Sequence, residues 1–163
     1  MHYIERYRKE YIMKISVMGI NENELVSGKA LAEMGNEVIH VCKDNAHVED
    51  MKRGLYSTNE KEIYNIANNS AIHFTSDMSE ALNQSTMCFI SESDSDDAGT
   101  LFHILATAKE IGTHMNSHTF IVDRSSLTMS RTEQIKETVQ SELDKRASNL
   151  TFEVISNPDF LRA

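Results

Sequence analysis

The chain has 163 residues, 40% of them hydrophobic and 25% charged, enough to bury one core of ordinary domain size. Its net charge of -9 has the wrong sign for nucleic acid or an anionic membrane surface, both of which reward clustered Lys and Arg. No apolar run approaches the roughly 18 residues a bilayer span requires.

The opening "MHYIERYRKEYI" is too charged for the apolar segment of a signal peptide. Residues 1–12 are therefore read as an amphipathic arm or extension, and residues 13–163 as the domain. Residues 14–18 are a short strand pattern ending at Gly19. Residues 24–34 form a helix pattern, with Leu25, Gly28, Leu31 and Ala32 available for packing and Gly35 as its C′ glycine. Residues 37–41 alternate as a strand, 46–53 are a short helix stopped by Gly54, and 60–67 carry helical spacing. A brief strand follows at 72–74, then a short helix at 78–83 capped by Ser76 or Asp77. Residues 87–90 are continuously apolar, as in a parallel strand buried on both faces. The acidic loop "SESDSDDAG" leads to a helix at 100–111 with Gly112 after it, a strand at 118–122, a helix at 132–146 and a last strand at 152–155. Strands alternating with helices predict an α/β fold, a mostly parallel sheet with helices on both faces.

The stretches "MKISVMG", "LVSGKALAEMGNEVIHV", "FTSDMSEAL", "AKEIGTHMN", "FIVDRSSL" and "VISNPDFLR" resemble the N-terminal domain of the UDP-glucose/GDP-mannose dehydrogenase family over nearly the whole chain. The resemblance implies an NAD-binding Rossmann domain: a doubly wound, mostly parallel six-stranded sheet in the order 3-2-1-4-5-6, with the Gly19 turn at the switch point. Enzymes of that family oxidise the C6 hydroxyl of a nucleotide sugar to a carboxylate with two NAD molecules. Their nucleotide-sugar domain, which carries the catalytic cysteine and lysine, would lie beyond Ala163. Neither Cys42 nor Cys88 matches that nucleophile; Cys88 is expected in the buried fourth strand as a structural residue.

The same resemblance places the cofactor contacts. The family's Gly-x-Gly-x-x-Gly turn falls on Gly19, Asn21 and Glu24, with Ile20 between the first two. The second glycine lets backbone approach a pyrophosphate and the third allows close helix–strand packing. Glu24 instead adds bulk and charge, and like charges about 4 Å apart cost about 1 kcal/mol in water and about 4 near a protein surface. The ribose-binding acid, expected roughly 20 residues further on, falls on Cys42. Asp44 is displaced by two residues, and Lys43 is suited to a phosphate. The family's Gly-Thr-Pro loop is Ser93-Asp94-Ser95 here, and its Lys-Ser/Thr-Thr loop keeps its hydroxyls as Ser125 and Ser126. Asp159 matches a family acid that assists water in the later hydrolytic step. The acidic loop lacks the ligand spacing of an EF-hand, and among the seven histidines His114 and His118 are split by helix-ending residues, so no metal site is expected.

Two functions remain open from this reading. One is a degenerate Rossmann domain with weak or lost NAD binding, acting as a non-catalytic regulatory or interaction module that pairs with itself or an intact family relative. The other is the cofactor half of a divergent NAD-dependent nucleotide-sugar 6-dehydrogenase. No nucleic-acid or membrane partner is expected. Two cysteines with no secretory leader predict a cytoplasmic protein.

Overall fold

The structure, a computed structural model, describes residues 12–53, 69–90, 98–123 and 129–156. Six parallel strands form one sheet: β1 (Lys14–Met18), β2 (Glu37–Val41), β3 (Ile72–Thr75), β4 (Met87–Ile90), β5 (Thr119–Asp123) and β6 (Phe152–Ser156). Their order is β3-β2-β1-β4-β5-β6, the predicted one. Five helices accompany them: α1 (Glu22–Glu33), α2 (Asn45–Arg53), α3 (Met78–Leu82), α4 (Ala98–His114) and α5 (Met129–Lys145). The predicted helix at 60–67 lies outside the described residues.

The period-two geometry of the strands divides the core into two layers. Ile15, Val17, Val38, Phe74, Phe89 and Val122 face the layer shared with Leu25 and Leu31 of α1 and with Val48 and Met51 of α2. Met18, Ile39, Val41, Cys88, Ile90 and Ile121 face the opposite layer. There they meet Ile104, Ala108 and Ile111 of α4 and Ile135, Val139 and Leu143 of α5, residues recurring at helical spacing. Cys88 is fully buried, and burial pushes its thiol up to about 12, in keeping with the structural role expected for it.

Local chemistry explains the helix ends. Asp77 accepts hydrogen bonds from the Ser79 and Glu80 backbone N–H groups, settling which residue caps α3. Asp44 accepts from the His47 N–H at the start of α2. Gly35 has φ +97° just past α1, as predicted, and its N–H donates to the Ala32 carbonyl. Gly112 departs from its predicted role as a stop, because α4 runs on to His114. A Cβ at Gly112 would lie 2.8 Å from the Val139 carbonyl oxygen, so this glycine lets α4 and α5 approach. The end of α4 is satisfied from a distance by Arg146, which donates to the carbonyls of Gly112, Thr113 and Met115. Among the described residues no helix is long and apolar enough to cross a membrane.

Candidate functional site

In an open α/β sheet, ligands bind beyond the carboxyl ends of the strands, where the strand order reverses. Here that point lies between β1 and β4, which pair through Ile15–Met87, Ser16–Cys88 and Val17–Phe89. The turn leaving β1 carries Gly19, Ile20 and Asn21.

Gly19 has φ +117°, a left-handed conformation that favours glycine. Both of its backbone groups are tied to β2. Its N–H donates to the Val41 carbonyl at 2.8 Å, and its carbonyl accepts from His40 Nδ1 at 2.9 Å. Ile20 turns into the core at 7% exposure. Asn21 is the N-cap of α1, in extended backbone, and its side chain caps nothing. The helix begins at Glu22, two residues before the sequence pattern suggested, with Glu22 and Glu24 both in its first turn. Acidic side chains suit that position because the helix N-terminus carries partial positive charge.

The two glutamates then part. Glu22 is exposed, whereas Glu24 is only 3% exposed. Glu24 shares a helix stripe with Gly28, Leu31 and Ala32, all turned toward the sheet. Its carboxylate folds back over the turn, where a Cβ added to Gly19 would meet Glu24 Oε1 at 2.7 Å and Cδ at 3.0 Å. Glu24, which the resemblance aligns with a third glycine, thus lies against Gly19.

His40 lies beside this turn, and the motif reading passed it over. It is fully buried, stacked on Phe74 with ring centroids 5.5 Å apart. A Cβ on Gly28 would lie 2.2 Å from His40 Nε2, so the glycine of α1 makes room for the ring. A carbonyl can only accept, so Nδ1 carries the proton toward Gly19 and Nε2 holds the lone pair. Among the described residues Nε2 has no hydrogen-bond partner. Desolvation, only partly offset by the Gly19 hydrogen bond, pushes the imidazole down to about 4. Alternation within β2 was the available signal: His40 shares the face of Val38, opposite Gly28.

Cys42 follows β2 and is half-buried, its N–H donating to the Thr75 carbonyl. Lys43 is exposed and pairs with Glu110 of α4 at 2.6 Å. Asp44 is engaged by the start of α2. At the end of β5, Asp123 and Arg131 form a buried two-point ion pair, Nη2 to Oδ1 and Nε to Oδ2, both 3.1 Å. It ties the first turn of α5 to the sheet. The structure therefore brings Gly19, Ile20 and Asn21 together with the end of β2 that precedes Cys42 and Lys43. Ser93, Asp94, Ser95, Ser125, Ser126 and Asp159 lie outside the described residues. His114 ends α4, and His118 instead bonds Thr151 Oγ1 at 2.6 Å. Among the described residues no group of three His, Cys, Asp or Glu is placed to hold a metal.

The description "UDP-glucose/GDP-mannose dehydrogenase family, NAD binding domain" matches residues 13–163. UDP-glucose 6-dehydrogenase TuaD of Bacillus subtilis is 30% identical over 156 residues, covering 91% of this chain and 33% of that protein. UDP-glucose 6-dehydrogenase of Pseudomonas aeruginosa is 27% identical over 157 residues, covering 92% and 35%. Among solved structures, a UDP-glucose dehydrogenase from Pyrobaculum islandicum superposes with a TM-score of 0.73 at 20% identity, covering 90% of this chain and 35% of that one. A GDP-mannose dehydrogenase from Pseudomonas aeruginosa gives 0.71 at 19%, covering 88% and 35%. At those identities the structural likeness establishes the fold. The chain spans about a third of the length of the curated relatives it matches.

Proposed function

Because the chain belongs to the UDP-glucose/GDP-mannose dehydrogenase family, through its NAD binding domain, we propose that it keeps the family's Rossmann scaffold without a full-strength NAD site and acts as a non-catalytic regulatory or interaction module. The end of β2 carries this reading. A carboxylate there holds the adenine ribose in dinucleotide sites. This chain has the half-buried Cys42 instead, and the nearest carboxylate, Asp44, already receives the His47 N–H. A thiol is a weak donor and acceptor and does not replace an ionised carboxylate that accepts from the ribose hydroxyl. Each lost polar contact costs about 1–3 kcal/mol, so two such losses lower affinity close to a thousandfold. The buried Glu24 at the turn and the half-buried Cys42 after β2 both weigh against a full-strength dinucleotide site. The partner proposed for the module is a second copy of the chain or an intact family relative.

Two measurements test this. The purified chain, mixed with NAD and either UDP-glucose or GDP-mannose, is expected to produce no reduced nicotinamide; measurable production would refute a non-catalytic role. Calorimetric titration with NAD is expected to give millimolar binding or weaker, and micromolar binding would refute the weakened site.

A second reading, which the family match also supports, is the cofactor half of a divergent NAD-dependent nucleotide-sugar 6-dehydrogenase. The reading frame after Ala163 separates the two: a downstream nucleotide-sugar domain with a catalytic cysteine favours this one.

A further inference from the structure

We propose that Glu24 is an internal occupant of the glycine turn: its carboxylate fills the space between Gly19 and α1 and sets a negative charge beside the turn that a dinucleotide's diphosphate must approach, so residue 24 sets how strongly the turn admits any diphosphate. This deepens the weakened-site reading above and rests on it, but it concerns a different contact from the one at Cys42.

Three observations carry it. First, the carboxylate is inside rather than out. Glu24 is 3% exposed, and its Oε1 lies 2.7 Å from where a Cβ on Gly19 would stand. The room that Gly19 leaves by lacking a side chain is therefore taken up within the chain. Second, the turn has little freedom to move away. The Gly19 N–H and carbonyl are committed to Val41 and His40 on β2, and Ile20 is anchored in the core. Third, the start of α1 favours negative charge, and its N-cap residue, Asn21, makes no capping hydrogen bond with its side chain. A carboxylate held at that end has the sign of an incoming phosphate and lies beside the turn it would approach. Expelling it would empty a packed position, and leaving it would set like charges side by side.

The test is a fluorescence titration with NADH of the full chain and three variants, with far-UV circular dichroism confirming the fold of each. Glu24→Ala removes charge and bulk; Glu24→Gln removes the charge and keeps the bulk. Glu22→Gln removes the exposed carboxylate of the same helical turn. Glu24→Ala is expected to tighten NADH binding by roughly fivefold to a thousandfold, the range a unit-charge repulsion at about 4 Å spans between bulk water and a protein surface. Glu22→Gln is expected to change it by less than about twofold, since exposed charges are screened. Adenosine, which has no phosphate, is expected to bind wild type and Glu24→Ala alike. Equal NADH binding by wild type and Glu24→Ala, or no detectable binding by either, overturns the proposal. If Glu24→Ala fails to fold, the near-isosteric Glu24→Gln decides by the same criterion. Micromolar binding by wild type would instead overturn the weakened-site reading, while the ratio between wild type and the Glu24 variants still judges this one.

Discussion

Acidification should weaken the fold through His40, and the size of the effect follows from where the ring sits. The imidazole is fully buried between Phe74 and the Gly28 segment of α1, donates to the Gly19 carbonyl, and is lowered from 6.5 to about 4 by desolvation. Its folded value lies below its unfolded value. Between those two values the unfolded chain therefore takes up a proton that the folded chain refuses. The stabilisation is fully present above pH 6.5 and is lost as the pH falls toward 4. A shift of that size corresponds to about 3 kcal/mol, a large share of the 5–15 kcal/mol typical of a domain. Urea denaturation followed by circular dichroism between pH 7.5 and 4.5 would measure it, with His40→Gln as the reference. The Gln amide can donate to the Gly19 carbonyl but does not titrate. Subtracting the two curves removes the carboxylates that both chains share. Wild type is expected to lose about 2–3 kcal/mol relative to His40→Gln across this interval. A difference that stays constant with pH would refute the argument, because it would mean that burial does not oppose protonation of this ring.

Three further substitutions probe the packing that shapes the site. Gly28→Ala should destabilise by about 1–3 kcal/mol, because the new methyl would sit 2.2 Å from His40 Nε2; the same urea assay should show most of that loss suppressed in a His40→Ala background. Gly112→Ala should cost a similar amount, about 1–3 kcal/mol, since its methyl meets the backbone oxygen of Val139 at 2.8 Å and Glu142 Cβ at 2.9 Å, and wild-type stability would refute the close approach of α4 and α5. Arg131→Met should destabilise by about 3–5 kcal/mol, because it removes the guanidinium from a buried carboxylate, and Asp123→Leu/Arg131→Met should recover much of the loss.

Much of the architecture was legible in the chain because short-range rules govern it. The strand at 37–41 follows from alternation at the two-residue period, and that at 87–90 from a short continuous apolar run. The end of α1 follows from Gly35, whose left-handed φ is a local property. The parallel sheet covered by helices on both faces follows from strands alternating with helices, which leaves few ways to bury both faces. Gly112 shows where such rules fail: a glycine after a helical run signals a stop, yet here the helix continues because α5 crosses close by and leaves no room for a side chain. Arg146 closes the end of α4 from more than thirty residues away, a contact that no local pattern encodes.

The site divides in the same way. That Gly19 opens the turn is a statement about residue type and spacing, and the expectation that Cys42 falls at the ribose-binding position comes from the family resemblance of the sequence. How Glu24 and His40 are disposed is not a statement of that kind. By type, a glutamate in a first helical turn belongs in water, and a histidine is seldom buried without full hydrogen bonding. The spacing of Glu24 with Gly28 and Leu31 put it on the inward stripe, but spacing does not measure the room available there. Only the tertiary structure does so, because two missing Cβ atoms, on Gly19 and Gly28, create the spaces that the carboxylate and the imidazole fill once α1 lies against β1 and β2.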